Sequence, residues 1–288
     1  MERIALDFGI IQIYWYSIFI FLGILAASIV IYLEAKKKNI SDEFLTNLIF
    51  TTVFFGIIGA RLYYVLFNFS YYKNNIFEIF EIWNGGLAIH GGILFGSINV
   101  LYQCHKNRVE SLKMFDIIVV GVILAQAIGR WGNFFNSEAY GAITTYKALA
   151  NNILIPNFVA KGMYILGEYR QPTFYYESLT NLIGFIVLVV FRRKKYIKQG
   201  QITGLYFMWY SFFRIIIEGF RSDSLMLGHL KVAQIVSILL FTLGFILFIY
   251  YDKINQKLKL TKLYNDNINS NTFINDDNNE QKRQLFIK

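Results

Sequence analysis

The chain has 288 residues, of which 55% are hydrophobic, 18% aromatic and only 16% charged, with a mean hydropathy of +0.41 and a net charge of +9. That balance excludes a soluble globular domain and describes a polytopic membrane protein, since each spanning helix needs about 20 apolar residues. A single cysteine, Cys104, excludes an internal disulfide and any multi-cysteine metal site.

Apolar runs fall near residues 11–33, 45–67, 87–104, 114–133, 175–191, 202–219 and 232–251. They predict an all-α polytopic membrane protein of about seven transmembrane helices. The first run has no basic region before it and continues well past Ala26-Ala27-Ser28, so it reads as a retained helix rather than a cleaved signal. Residues 68–86 mix Tyr71, Tyr72, Phe77, Phe80 and Trp83 with Glu78 and Glu81, the pattern of an interfacial helix on the outer surface. Residues 142–170 hold Pro156, Gly162 and Gly167 and no run long enough to span, which predicts a small extracytoplasmic cap. Residues 1–262 thus form a seven-span transmembrane domain, and the Asn-rich 263–288 segment reads as a disordered cytoplasmic tail.

Basic residues crowd alternate connections: Lys36 to Lys38, Lys106 to Lys113, Arg192 to Lys198, and Lys253 to Lys262. By the positive-inside rule the N-terminus is outside and the C-terminus cytoplasmic. The +9 is therefore mostly topology and implies no nucleic acid.

With that orientation, counting along each run at about 1.5 Å per residue places the polar groups in depth. Tyr16, Arg61, His90, Arg130, Asn133, Tyr176, Glu177, Arg214, Glu218, Arg221 and Gln234 all fall toward the outer side, with few comparable groups in the inner halves. Such groups are costly in hydrocarbon unless they meet a cavity, a partner or a ligand. An outward-opening cavity fits better than a channel or an alternating-access path, which need polar groups across both leaflets or a midplane site. Arg214, Glu218 and Arg221 follow at i, i+4 and i+7, so Glu218 can pair with either arginine and leave the other free. Arg61, Arg130 and Arg214 then exceed the nearby carboxylates, and a phosphate suits paired guanidinium contacts.

Plainer readings exist beside these. Each arginine can be an interhelical clamp, Arg130 can snorkel to the interface, and His90 can be a hydrogen-bonded structural residue. Gly92-x-x-x-Gly96 is a packing pattern, whereas Gly85, Gly86, Gly91 and Gly92 around His90 suggest backbone kept clear for a ligand. His105 and His229 read as loop residues. The serine-elbow, zinc-helix and phosphate-loop motifs are absent, and Asp116 has no intramembrane aspartate partner. A nucleophile, where there is chemistry, comes from the substrate. A transporter or flippase for an anionic lipid stays open as the alternative; it requires polar groups deeper in the inner halves.

The segment Gly129-Arg130-Trp131-Gly132-Asn133-Phe134-Phe135-Asn136-Ser137-Glu138-Ala139-Tyr140-Gly141 resembles the signature of the bacterial prolipoprotein diacylglyceryl transferases. Trp15-Tyr16, Gly59-Ala60-Arg61, the Asn84 to Gly92 stretch, Gln171 to Ser178 and Phe213 to Arg221 resemble that family's other motifs in the same order. Tyr14, Ser17 and Ser137 depart from its usual residues. The resemblance implies transfer of a diacylglyceryl group from phosphatidylglycerol to the lipobox cysteine of a prolipoprotein signal peptide, the first step of lipoprotein maturation. It implies an active site on the extracytoplasmic side of the bacterial cytoplasmic (inner) membrane, with membrane lipid around it and no cofactor or metal. Catalytic roles then fall to His90, Arg130, Arg214 and Tyr16. Headgroup binding falls to Arg130, Asn133, Glu138, Arg61 and Arg214, and support to Glu218, Arg221, Glu177 and Gly141.

Overall fold

A computed structural model describes residues 3–9, 12–222, 224–228 and 230–250. The expected 263–288 tail, His229 and the last residue of the seventh run lie outside them. A hairpin of β1 (Ile4–Asp7) and β2 (Gln12–Tyr14) leads into α1 (Trp15–Lys37), followed by α2 (Asp42–Phe67), the single turn α3 (Phe69–Tyr72), α4 (Ile89–Lys106) and α5 (Ser111–Asn136). Between α5 and α8 lie β3 (Ile143–Thr144), α6 (Tyr146–Ala150), α7 (Asn157–Gly162), β4 (Tyr164–Ile165) and β5 (Glu168–Arg170). Then come α8 (Thr173–Phe191), α9 (Gln201–Phe220), the strands β6 (Met226–Leu227) and β7 (Leu230–Lys231), and α10 (Val232–Phe245), which runs into a π-helical turn at Ile246–Tyr250.

Every predicted apolar run is a long helix, and five of them are long and apolar enough to cross a membrane: α1, α2, α5, α8 and Val232–Ile249. The short strands are an addition to the all-α expectation. The region 68–86 is not one interfacial helix: α3 and two 3₁₀ turns, Ile76–Phe80 and Ile82–Asn84, replace it. His105 belongs to the last turn of α4 rather than to a loop.

Helix α5 is the centre of the molecule, packed against α1, α8 and α9. Its Met114, Ile117, Val120 and Ile123 are fully buried. Lipid tails are as apolar as these side chains, so close packing and interhelical hydrogen bonds hold the bundle. Helices α2 and α4 form a tight pair that meets the rest only lightly. A Cβ at Gly91 would come 2.2 Å from the Gly59 carbonyl oxygen, and one at Gly92 would sit 3.4 Å from that of Gly56. These glycines are helix-crossing contacts, not backbone cleared for a ligand. Lower in the same pair, Asn99 Nδ2 donates to Thr51 Oγ1 at 3.0 Å and Thr52 Oγ1 at 2.9 Å, and Gln103 Nε2 donates to Thr51 Oγ1 at 3.3 Å. This end of the pair, away from His90, is therefore more polar than its sequence suggests. Asn99 and Gln103 are buried and bonded to the partly buried threonines, so they join helices rather than line a path.

Helix ends are held locally and at long range. Ser41 caps α2 by accepting from Phe44 N at 3.3 Å, with Asp42 and Glu43 in the first turn. The start of α9 is capped by a residue of another helix: Asp116 accepts from Gly200 N (2.7 Å), Thr203 N (2.8 Å) and Thr203 Oγ1 (2.7 Å). Beyond α5, the strands pair antiparallel in the order β3-β5-β4. With α6 and α7 they enclose a core of Leu149, Val159, Ala160 and Met163 that continues into Phe134 of α5 and Phe174 of α8. The unit over residues 142–170 is thus fused to the helix ends beneath it.

Candidate active site

The last turns of α5 present two neighbouring faces. Ala127, Trp131 and Phe134 follow at i, i+4 and i+7 and face an apolar groove of about 530 Å³ between α1, α5 and α8, roofed by Phe158 of α7. Gln126, Arg130 and Asn133 lie on the adjacent face. The helix then ends with two non-glycine residues in the left-handed region, Ser137 (φ 57°) and Ala139 (φ 55°), a conformation costing roughly 1–2 kcal/mol per L-residue. It is held by what the turn delivers. The Ala139 carbonyl accepts from Thr173 Oγ1 at 2.5 Å and Phe174 N at 3.1 Å, fixing the start of α8. Gly141 N donates to the Gln171 carbonyl at 2.8 Å, and Gly141 bridges to Arg221 at the end of α9. A Cβ there would meet Gln171 Cβ at 2.8 Å and the Phe220 carbonyl at 2.9 Å, so only glycine lets the three segments meet.

That framework carries a chain of ion pairs through three helices. Glu177, one turn into α8 and almost fully buried, sits 2.5 Å from Arg130 Nε through Oε2 and pairs with Arg214 Nη1 through Oε1. Arg214 Nη2 reaches Glu218 Oε2 at 2.8 Å, and Arg221 Nη1 lies 3.6 Å from the same oxygen. Arg130 Nη1 contacts Asn133 Oδ1 at 3.5 Å, and Asn133 Nδ2 contacts the exposed Glu138 at 3.5 Å. Three guanidinium groups thus share two buried carboxylates, and the arginine side chains keep 22%, 13% and 15% of their surface exposed. Glu218 does not choose one arginine; it engages both. Within this chain three guanidinium groups face two carboxylates.

Other sequence-predicted residues lie elsewhere. Tyr16, in the first turn of α1, packs across Gly132, whose Cβ would meet its Cδ2 at 2.8 Å, and it lies within electrostatic reach of Arg130 and Glu138. Arg61 is not with the other arginines. Nearly buried, it donates from Nε to Ile79 O (2.8 Å), from Nη1 to Gly85 O (2.7 Å) and Gly86 O (3.0 Å), and from Nη2 to Glu78 O (2.5 Å). These carbonyls would be satisfied internally in a continuous helix; Arg61 satisfies them instead. Through these bonds Arg61 clamps the 78–86 segment to α2. His90, exposed at the start of α4, has its ring 6.1 Å from that of Tyr63 and belongs to the α2–α4 pair, apart from the arginine chain.

Two residues escaped sequence reasoning. The Tyr210 hydroxyl hydrogen-bonds Arg130, and behind it Tyr206 accepts from Gln126 Nε2 at 3.0 Å. Tyr210 precedes Arg214 by four residues on one helix face, a signal hidden among the many aromatics of α9. Lys231 caps the C-terminus of α9, donating to Glu218 O at 2.6 Å, Gly219 O at 3.3 Å and Arg221 O at 2.7 Å.

An apolar helical bundle with five helices long and apolar enough to cross a membrane, carrying a buried ion-pair chain across three of its helices, defines a multi-pass membrane protein. The chain belongs to the prolipoprotein diacylglyceryl transferase family, whose profile matches residues 3–250. It is 43% identical over 254 residues to the phosphatidylglycerol–prolipoprotein diacylglyceryl transferases of Streptococcus pneumoniae strains JJA and Hungary19A-6, covering 88% of this chain and 95% of each relative.

Proposed function

We propose that the protein transfers the diacylglyceryl group of phosphatidylglycerol to the lipobox cysteine thiol of a prolipoprotein. The observation that carries this reading is the Arg130–Glu177–Arg214–Glu218–Arg221 chain, three guanidinium groups against two carboxylates at one end of an apolar bundle, a set suited to an anionic headgroup. Family membership supplies the substrates. In the reaction the cysteine sulfur forms a C–S bond to the terminal glycerol carbon, the C–O bond to phosphate breaks, and glycerol phosphate leaves with the electron pair. A free thiol, with a pKa near 8.5, is mostly protonated at neutral pH, so a base or a cationic field must favour the thiolate. We assign that proton to His90, with the substrate between the α2–α4 pair and the arginine chain. Arg130 and Arg214 meet the charge growing on the departing phosphate, Asn133, Glu138 and Tyr16 orient the headgroup, and Glu177, Glu218, Arg221 and Gly141 hold the arginines. Arg61 shapes the segment that precedes His90.

The accompanying topology has seven spans, with α4 and α9 crossing beside the five more apolar helices. The cap and arginine chain face the outside of the bacterial cytoplasmic membrane, and the C-terminus is cytoplasmic. The alternation of basic connections supports this orientation. Purified protein mixed with phosphatidylglycerol and a lipobox peptide should add the diacylglyceryl mass to the cysteine. No mass gain refutes the reading. Lipid flux in liposomes lacking acceptor peptide would favour a flippase instead.

A further inference from the structure

One helical turn beneath the ion-pair chain of the proposed active site, α5, α8 and α9 meet in a layer of uncharged polar side chains. Gln126 stands four residues before Arg130 on α5, and Tyr206 four residues before Tyr210 on α9, so each lies directly under the residue it precedes. Gln126 Nε2 donates to the Tyr206 hydroxyl at 3.0 Å, the Tyr206 ring stacks on that of Tyr210 with centroids 6.1 Å apart, and the Tyr210 hydroxyl hydrogen-bonds Arg130. Asn181, four residues after Glu177, is placed by its neighbours on α8. Above it Glu177 touches Arg130 of α5 and Arg214 of α9; below it a Cβ at Gly184 would meet Ile123 Cδ1 of α5 at 2.6 Å and the Trp209 ring of α9. Asn181 therefore faces the seam between α5 and α9 at the depth of Gln126, and it is 3% exposed.

Hydrogen bonding in this layer is incomplete. Among the described residues Gln126 Oε1 and Asn181 Nδ2 are buried and have no partner. Buried polar groups are nearly always satisfied, because a dry one costs free energy that its hydrogen bond would otherwise offset. Neighbouring polar groups are committed elsewhere: Ser178 Oγ donates to Ala127 O at 2.8 Å and Trp209 Nε1 to Thr180 O at 3.0 Å. The two orphans are complementary, an acceptor on α5 and a donor on α8. One interior water can accept from Asn181 and donate to Gln126, as buried waters do between groups of this kind.

The layer also bears on Arg130. Its Nε meets Glu177, and its fork is oriented by Asn133 and by Tyr210. Tyr210 in turn rests on Tyr206, and Tyr206 on Gln126. A guanidinium whose planar fork is fixed in advance meets growing charge without reorganising.

We propose that Gln126, Asn181 and Tyr206, joined by one buried water, form a polar floor that positions Arg130 through Tyr210 for the departing phosphate. The positioning role rests on the transfer reading; the shared water stands on the geometry alone.

Two cycles of substitution test it, both on the full-length chain in detergent. Thermal unfolding is compared for Gln126→Leu, Asn181→Leu and the double variant. Each single change strands the opposite side of the water site and should lower the midpoint, whereas the double change removes both partners and should lower it by less than the two single shifts added. Additive shifts overturn the shared water. Transfer from phosphatidylglycerol to a lipobox peptide reads the positioning role. Tyr206→Phe keeps the ring stack and loses the hydroxyl, and Gln126→Leu breaks the same hydrogen bond from its other end. Each should lower kcat about fivefold, the effect of one neutral hydrogen bond, with KM for phosphatidylglycerol unchanged, and the pair together should lose no more than either alone. Losses that multiply, a rise in KM without a fall in kcat, or wild-type rates in Tyr206→Phe overturn the positioning role while the transfer reading survives. No transfer by the wild type overturns that reading and the positioning role with it, and leaves the thermal cycle to decide the water.

Discussion

Glu177 decides how the arginines behave, because among the described residues it is the one carboxylate that touches both Arg130 and Arg214. Glu177→Gln leaves two close guanidinium groups without their shared anion, and breaking a buried pair in this way costs about 3–5 kcal/mol. Both stability in detergent and turnover should fall. Arg214→Ala acts differently, removing a contact that strengthens as the phosphate departs. The rate should drop about a hundred- to a thousandfold with the chain still inserted, measured as diacylglyceryl transfer to peptide. Full activity in Arg214→Ala would refute its role. His90→Asn should cut the transfer rate with the chain still inserted, measured as diacylglyceryl transfer to peptide; an unchanged rate places the base elsewhere. At this scale the sequence was informative where charge interrupts an apolar run, as at Arg130, Glu177 and Arg214. It gave no sign of Arg61's backbone partners, which leave no trace in residue identity. It was silent for Tyr210, one aromatic among several on α9.

At the scale of elements, apolar runs translate into helices because a span has little freedom to be anything else. Predicted and observed ends agree within about a turn, as for 114–133 against Ser111–Asn136 or 202–219 against Gln201–Phe220. Residues 68–86 were harder, since their aromatic and acidic pattern fits a helix while the observed 3₁₀ turns rest on Arg61 of α2, a contact 17 to 25 residues distant in sequence. The trans cap of α9 has the same character. Asp116→Ala removes the acceptor of three buried donors, and loss of a cap of this kind costs about 0.5–2 kcal/mol. Its unfolding midpoint in detergent should fall more than that of Asp116→Asn, which keeps an acceptor oxygen. At the other end of α9, Gly141→Ala forces the 137–141 turn away from Gln171 and Phe220. Transfer should fall while the bundle stays folded, because Arg221 and Glu218 shift with the turn.

For the whole molecule the strongest remaining claim is orientation, and its physics is asymmetric. Lys38, Lys113, Arg192 and Arg193 gather at one end of the bundle, the cap and the arginine chain at the other. Basic residues resist translocation, so the Lys38 end should face the cytoplasm. Thiol labelling can read this directly. The chain's own cysteine, Cys104, is fully buried in α4, which keeps the background low. Ile153, in the cap, is 100% exposed, and Lys195, between α8 and α9, is exposed at the other end. With Ile153→Cys, a membrane-impermeant maleimide should label intact cells; with Lys195→Cys it should label only permeabilised ones. The reverse pattern would turn the arginine chain toward the cytoplasm. An exported lipobox cysteine, emerging on the other side of the bilayer, would then not meet a phosphatidylglycerol headgroup held there, and the transfer reaction would lose its site.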